Sequence, residues 1–421
     1  MEKEPVVFTR YDIRGEYPSE LDEPFALRLG MAAGTYAKKK IVVGYDTRTS
    51  SKPLVEAISS GIQSTGVDVL NIGISPSDKV ALAGGYYGAD FSIMVTASHH
   101  SWSRNGFKFF YTKGNGFSNE DMAEIKKIFI EKNFRKSSPE NRSAIIDKER
   151  EFHEAYMQKA IKVFRKYFQK IDAKIVVDCC NGAAYNTTPI LLEKLGAEVI
   201  SINCSKTPVS NVSPEPDAEN RKGLVMELVK NNADLIVGHD PDADRLYAFD
   251  RNGDWVSGDE IFCILAKIIK AKKIVASLDT SKMLEDATGA SIEYTRIGDI
   301  FVSKKAIESG ADFCGEPNGH YALPDFSWYN SATFCALLLA AKAKEIVEIR
   351  QSIPKYFVKK EKIVLECTGA KEAKMKEIVQ NIKNDRKYTM ISDIDGIKFF
   401  DKSATCLIRS SGTQPIIRIV A

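Results

Sequence analysis

Nowhere does this chain of 421 residues carry an apolar run approaching the roughly 18 residues of a membrane-crossing helix, so no membrane partner is expected. The N-terminal residues 1–10 mix charges and have no apolar centre, which argues against a secretory signal. Cysteine is present only as eight scattered residues with no C-x-x-C pair; the one close pair is the adjacent Cys179 and Cys180. That usage excludes a disulfide framework and a zinc knuckle, and fits buried thiols in a reducing, cytoplasmic setting. Net charge is also scarce, +3 in all. A nucleic-acid partner is therefore not expected, and basic sites should be local pockets of the kind a small phosphorylated molecule needs. The five histidines show no metal-ligand spacing, no G-x-S-x-G elbow occurs, and no segment is of low complexity.

What is present is ordinary in bulk and organised in detail. Hydrophobic residues make up 44% and charged residues 27%, as in a globular protein. The length implies on the order of two to four domains. A weak internal repeat divides it. Lys40-Ile41-Val42-Val43, Lys174-Ile175-Val176-Val177 and Lys273-Ile274-Val275-Ala276 each open a segment. Each leads through a helical stretch to a glycine and a second apolar run: Gly66-Val67-Asp68-Val69, Gly196-Ala197-Glu198-Val199 and Gly289-Ala290-Ser291-Ile292. That order predicts strand, helix, strand, with the helix packed on the sheet. A second element follows each time: Ala89-Asp90-Phe91, Ala233-Asp234-Leu235 and Ala311-Asp312-Phe313, each running into a short apolar stretch and then a polar loop.

Ligands of α/β sheets bind beyond the carboxyl ends of strands, so three repeated loops suggest three similar mixed α/β-sheet domains around one central cleft. Composition alone can make βαβ segments resemble one another, and that reading stays beside it. Residues from about 354 onward lack the repeat. A Lys/Glu-rich helix over Ala370 to Ile382 and strands at Lys398 to Phe400, Thr405 to Ile408 and Ile416 to Val420 indicate a smaller C-terminal α+β domain. The domains are placed at 1–150, 151–251, 252–352 and 353–421. Asp250-Arg251-Asn252-Gly253-Asp254 reads as a hairpin turn in which Asn-Gly supplies positive φ angles.

The loops carry the chemistry. Ala233 to Val237 reads as a buried strand running into Asp240, Asp242 and Asp244. In extended backbone, alternate side chains share a side, so three carboxylates converge and need a cation. Oxygen ligands favour Mg2+ or Ca2+. A solvated acidic turn is the plain alternative. An EF-hand is excluded because Arg245 stands where Gly is required, and an aspartyl phosphatase of the D-x-D type because Asp244 stands where Thr or Val is expected. In the second loop, Thr96-Ala97-Ser98-His99-His100, adjacent side chains are not expected to place an imidazole on the hydroxyl. Taken alone, Ser98 is equally a loop serine without a role. Lys108 could bring an ammonium back to it.

The third loop, Gly315-Glu316-Pro317-Asn318-Gly319-His320, offers Glu and Asn for sugar hydroxyls and a histidine that titrates near neutrality, although a plain polar turn would look the same. Arg409-Ser410-Ser411-Gly412-Thr413-Gln414 combines a guanidinium, hydroxyls and a tight turn, the parts of a phosphate cradle or of an ordinary Ser/Gly turn. Tyr11-Asp12-Ile13-Arg14-Gly15 adds another arginine. Together the parts suit phosphoryl transfer on a sugar, where positioning and charge neutralisation dominate.

In the order Tyr11–Gly15, Thr96–His99, Asp240–Arg245, Gly315–His320 and Arg409–Pro415, these motifs resemble the signatures of the α-D-phosphohexomutases, across nearly the whole chain. The family includes phosphomannomutase, phosphoglucomutase and phosphoglucosamine mutase. The resemblance implies four domains and a phosphorylated Ser98, with Mg2+ held by that group and by Asp240, Asp242 and Asp244. It implies Arg245 steadying the phosphoserine and Glu316 and Asn318 on sugar hydroxyls. Arg409, Ser411, Gly412 and Thr413 would hold the non-reacting phosphate, with Arg14, Lys108 and His320 as acid-base and charge-stabilising groups. The implied reaction interconverts hexose 1-phosphate and 6-phosphate through a hexose 1,6-bisphosphate, which would also serve as activator. The competing expectation is a sugar-phosphate-binding protein without turnover.

Departures from the family pattern are specific. His100-Ser101 replaces the usual Asn-Pro, Pro317-Asn318 stands where Ser is usual at the second position, and Gln414 replaces Glu. Many relatives continue into a helix after the position of Val420. Ile297-Gly298-Asp299 looks closer to the phosphoglucosamine mutases and some archaeal-type relatives than to the others.

Overall fold

The computed structural model of the chain describes every residue except 1–6, 10–11, 138–142, 208–211, 365–367, 386, 402–403 and 411–415. The chain forms two compact units, Met1–Ser257 with Gly319–Val347, and Gly258–Asn318 with Glu348–Ala421.

The first unit holds two mixed sheets. In one, Lys40–Tyr45 lies between Asp68–Ile74 and Phe91–Val95, parallel to both, and Arg104–Phe110 pairs antiparallel to Phe91–Val95. Ile13–Glu16 extends that edge, antiparallel to Arg104–Phe110. The other repeats the plan. Lys174–Asp178 is flanked in parallel by Glu198–Ile202 and Leu235–His239, and Leu246–Asp250 runs antiparallel to the latter. In the second unit, Lys273–Ser277 is again the middle strand, parallel to Ser291–Thr295 and to Phe313–Glu316. The predicted strand-helix-strand segments are all found, with helices Ser51–Gln63, Thr188–Lys194 and Met283–Thr288 between the paired strands.

The repeated Ala-Asp dipeptide has a physical reason. Each aspartate turns its carboxylate onto the backbone N–H groups at the start of the middle strand: Asp90 on Lys38, Lys39 and Lys40, Asp234 on Lys174, and Asp312 on Lys272 and Lys273. The N–H of the same aspartate donates to the carbonyl of Lys40, Lys174 or Lys273, at 2.8 Å each time. The acid thus caps one strand and starts its parallel neighbour, fixing the register. Strands Phe91–Val95 and Leu235–His239 are buried at every position, as expected of strands covered on both faces, and each runs into one of the polar loops singled out in the sequence.

The C-terminal part is an antiparallel sheet in the order Lys360–Val364, Ile416–Val420, Ala404–Ser410, Ile397–Asp401, Thr389–Ser392, with helix Thr368–Asn384. The α+β expectation holds, and strands Lys360–Val364 and Thr389–Ser392 are additions to it. The hairpin at 250–254 also forms, between Leu246–Asp250 and Trp255–Val256. Only Gly253 takes a positive φ, +82°; Asn252 instead donates its N–H to the Asp250 carboxylate at 2.9 Å.

Candidate functional site

Ser98 follows the buried strand Phe91–Val95 with a left-handed backbone, φ +51°. A non-glycine residue held there needs support. The support comes from Arg48, which sequence reasoning did not single out. Its guanidinium is fully buried, pairs with Asp46 at 3.0 Å, and donates to the carbonyls of Ser98 (2.5 Å), His100 (2.8 Å), Ser101 (2.6 Å) and Arg104 (3.1 Å). Asp46 also accepts from the hydroxyl of Thr96 at 2.8 Å, and Thr96 in turn accepts the N–H of Ser98 at 2.8 Å. The signal was local: an Asp-x-Arg directly after the strand Lys40–Tyr45.

The hydroxyl of Ser98 donates to Asp240 at 2.9 Å, across 142 residues of sequence. Asp240, Asp242 and Asp244 each offer an oxygen, all within 4.8 Å of one another. The convergence predicted from alternation in extended backbone is real, but its cause is different. The loop turns: Ala243 has φ +55° and donates its N–H to the Asp240 carbonyl at 3.0 Å. All three aspartates are buried. Burial, with Asp242 and Asp244 beside it, pushes Asp240 well above the ordinary carboxylate range. Asp244 is held well below that range, because the charges of Lys108 and His320 outweigh its burial.

Lys108 reaches the acidic loop itself, donating to Asp242 at 2.7 Å and to Asp244 at 2.6 Å. Ser77 also donates to Asp242, at 2.8 Å, and Tyr329 to Asp244, at 3.1 Å. His320 Nε2 stands 3.2 Å from the other oxygen of Asp244. It is delivered by Gly319, whose carbonyl accepts the N–H of Leu246 at 3.0 Å. Gly319 has φ +100°, and a Cβ there would lie 2.9 Å from the Leu246 carbonyl oxygen, so only glycine brings the two chains this close. The donor set suits a hard divalent cation. It is all oxygen, and among the described residues Asp242 Oδ1 is a buried acceptor without a hydrogen-bond partner.

One expectation about the serine loop is corrected. His99 Nδ1 does lie against the hydroxyl of Ser98, at 3.3 Å, because the left-handed turn at Ser98 folds the next side chain back. This does not create a hydrolase pair. Burial, and then the positive charge of Arg245, push His99 down to about 2, too weak a base to take a hydroxyl proton. His99 stacks on His100, with ring centroids 4.7 Å apart, and His100 is pushed down to about 4 mainly by burial. Arg245 stands with its guanidinium 3.4 Å from His99 and 3.1 Å from Glu215, while its backbone N–H donates to Asp240 at 3.1 Å. Arg14 pairs with Asp12 at 2.6 Å and donates to the Ala97 carbonyl at 3.3 Å, beside the serine.

The first unit therefore assembles Ser98, Arg14, Lys108, His320, Arg245 and the three aspartates. Glu316, Asn318 and Arg409 belong to the second unit. There the Glu316 carboxylate is buried and accepts the N–H of Gly298 at 2.8 Å, next to Asp299. Asn318 is exposed. Arg409 lies on strand Ala404–Ser410 and pairs with Asp395 at 3.5 Å. Ser411, Gly412 and Thr413 fall outside the described residues.

Among the described residues, no helix is long and apolar enough to cross a membrane. Comparison with known proteins agrees in extent with the repeat. Models of the phosphoglucomutase/phosphomannomutase α/β/α domains I, II and III match residues 5–136, 152–253 and 257–356. A phosphoglucomutase/phosphomannomutase of Thermococcus kodakarensis is 33% identical, over 98% of this chain and 93% of the relative. A probable phosphoglucosamine mutase of Thermococcus gammatolerans is 32% identical, over 97% and 92%. Among solved structures, a phosphoglucomutase/phosphomannomutase family protein of Burkholderia thailandensis has the same fold, with a TM-score of 0.84 at 22% identity, covering 98% of this chain and 92% of that one.

Proposed function

Because this chain belongs to the α-D-phosphohexomutase family and is a phosphohexomutase, an isomerase, we propose that it interconverts hexose 1-phosphate and 6-phosphate through phospho-Ser98 and a hexose 1,6-bisphosphate. The observation that carries the proposal is the hydroxyl of Ser98 hydrogen-bonded to one of three converging buried carboxylates.

In this reading Asp240, Asp242 and Asp244 hold Mg2+, which supplies neutralisation of charge on the phosphoryl group. The Arg48 network sets the serine in its left-handed turn, so the nucleophilic oxygen is positioned before substrate arrives. In the forward direction the P–O bond to Ser98 breaks and a bond to the free sugar hydroxyl forms. The hydroxyl proton leaves to a base, for which His320 in its uncharged form is the candidate. The return step transfers the other phosphate to Ser98. Lys108, fixed by two carboxylates, contributes charge, and Arg14 and Arg245 line the serine loop. Glu316 and Asn318 take sugar hydroxyls, and Arg409 with Ser411, Gly412 and Thr413 takes the other phosphate.

Glucosamine phosphate is the preferred sugar in this proposal. The Ile297-Gly298-Asp299 segment, whose Gly298 N–H the Glu316 carboxylate accepts, resembles that of the phosphoglucosamine mutases, and several similar relatives carry the name probable phosphoglucosamine mutase. We assign the chain to the cytoplasm. The test is direct: incubate the protein with Mg2+ and glucose 1,6-bisphosphate, then measure intact mass and map the phosphopeptide. Phosphate on Ser98 is expected. Phosphate only elsewhere, or none under any condition, would sink the mechanism. Turnover of the 1-phosphates of glucosamine, glucose and mannose, compared side by side, decides the sugar.

A further inference from the structure

The loop after strand Lys174–Asp178 carries chemistry that phosphoryl transfer does not use. Cys179 leaves the end of that strand, and Cys204 follows its parallel neighbour Glu198–Ile202. The register Asp178 opposite Ile202 brings the two cysteines to the same end of the sheet. Their sulfurs stand 2.9 Å apart, within about 0.9 Å of a disulfide bond of about 2.05 Å. Both are free thiols.

The pair is asymmetric. Cys179 is fully buried and Cys204 is partly exposed. The Cys179 thiol beside it pulls Cys204 below the ordinary thiol range against the effect of burial, while burial pushes Cys179 well above it. Cys204 is thus the less buried thiol and the one that ionises first, and Cys179 holds a proton to give.

Neither segment is free to drift. Cys180, Asn181 and Asn203 all have left-handed backbones, with φ of +53°, +49° and +47°. Asp178 accepts from the Cys180 N–H and from the Asn203 amide, each at 2.9 Å, and the Asn181 N–H donates to the Asn203 carbonyl at 2.5 Å. Cys180 is occupied elsewhere, its sulfur accepting from Arg221 at 3.3 Å. The loop also abuts the acidic loop. Gly182 donates to the Cys179 carbonyl at 2.6 Å, Ala183 donates to the Pro241 carbonyl at 2.7 Å, and a Cβ on Gly182 would lie 2.5 Å from that carbonyl oxygen. Gly182 and Ala183 thus link the Cys179 carbonyl directly to the Pro241 carbonyl of the acidic loop.

We infer that Cys179 and Cys204 are an oxidisable dithiol, a modification site that closes to a disulfide on meeting a hydroperoxide and is coupled to the acidic loop. The Cys204 thiolate attacks the outer peroxide oxygen. The O–O bond breaks, Cys204 becomes a sulfenic acid, and the alkoxide leaves as an alcohol with the thiol proton. The Cys179 sulfur then attacks Cys204, the S–O bond breaks, and hydroxide leaves with the Cys179 proton as water. Two thiols and one hydroperoxide give one disulfide, one alcohol and one water, a two-electron exchange.

The site itself does not depend on the phosphohexomutase reading, and its test separates the two. The full chain is treated with hydrogen peroxide, free thiols are alkylated, and intact mass and linked peptides are read alongside mutase turnover with Mg2+. A loss of about 2 Da before alkylation, two fewer alkylated thiols after it, a Cys179–Cys204 linked peptide and reversal by dithiothreitol are expected. Cys204→Ser and Cys179→Ser should abolish the link and Cys180→Ser should keep it; if a serine variant fails to fold, the peptide map of the unaltered chain decides. Sulfinic acid on Cys204 with Cys179 still alkylated, a link between Cys179 and Cys180, or no change in any thiol would overturn the site. Turnover should fall with the linked fraction and recover on reduction; full turnover in the linked protein would overturn the coupling to the acidic loop.

Discussion

Replacing Asp242 by Asn tests whether the acidic loop is a metal site, because the structure makes opposed effects separable. Asp242 uses one carboxylate oxygen for Lys108 and Ser77 and leaves the other buried and unpartnered. Asparagine keeps the shape and can keep its carbonyl oxygen on Lys108, but it presents an amide where an ion would find an oxygen. Without metal, two changes oppose each other. The charge-assisted bond from Lys108 weakens, a loss of about 1–2 kcal/mol. Burial is the main cause that pushes Asp240 up, but the repulsion from Asp242 that adds to it is relieved by a comparable amount. Metal-free stability should therefore change by less than about 1 kcal/mol.

With metal the balance is one-sided. A ligand and a charge are both lost, so the thermal shift caused by millimolar Mg2+ should largely vanish. If the ion neutralises the transferring phosphoryl group, kcat should fall by about 100- to 1,000-fold, or about 3–4 kcal/mol, with a much smaller change in KM. Excess Mg2+ should restore only part of the rate, because position as well as occupancy is lost. The assays are differential scanning calorimetry with and without Mg2+, and steady-state kinetics across a Mg2+ titration. An unaltered Mg2+ shift in the variant, or a change confined to KM, would refute the metal assignment.

Arg48→Met should be more damaging to the fold than any substitution in the acidic loop. It strands the buried Asp46 carboxylate and four carbonyls, so a loss of about 3–5 kcal/mol is expected in urea denaturation, with turnover reduced even in the folded fraction. Arg409→Ala should weaken both reaction directions by about 1.5–3 kcal/mol in kcat/KM, since one cradle must serve both phosphates; a loss in one direction only would contradict a shared cradle. Lys398 gives a pH signature. It is buried, donates to the Thr280 carbonyl at 2.7 Å and stands 4.1 Å from the centre of the Tyr294 ring. Burial pulls its pKa from 10.5 to about 8. Between those values the unfolded chain binds more protons than the folded one, so stability rises with pH through this window, by at most about 3 kcal/mol at about 1.4 kcal/mol per pH unit. Chemical denaturation at pH 7.5 and pH 10 should show that this part of the rise is missing in Lys398→Met.

Some of this protein was written in local sequence. The three strand-helix-strand segments were legible because apolar runs, helices and turn glycines are short-range preferences, and the Ala-Asp dipeptide because it recurs at the same place in each; that its carboxylate caps a strand 51, 60 or 40 residues back was decided by the fold. The acidic loop was legible for the same reason, since its three carboxylates lie within five consecutive residues. Tertiary structure alone decided the rest. That Ser98 meets Asp240, that Lys108 lands on Asp242 and Asp244, and that Arg48 clamps the serine loop are contacts across 142, 134, 136 and 50 residues, set by how sheets and loops pack and not by any spacing in the chain. The left-handed turns at Ser98 and Ala243 were equally invisible, because those backbones are disfavoured for such residues and persist only where the surrounding hydrogen bonds outweigh the strain. Cys179 and Cys204, unremarkable in sequence, become a pair only because two parallel strands end side by side.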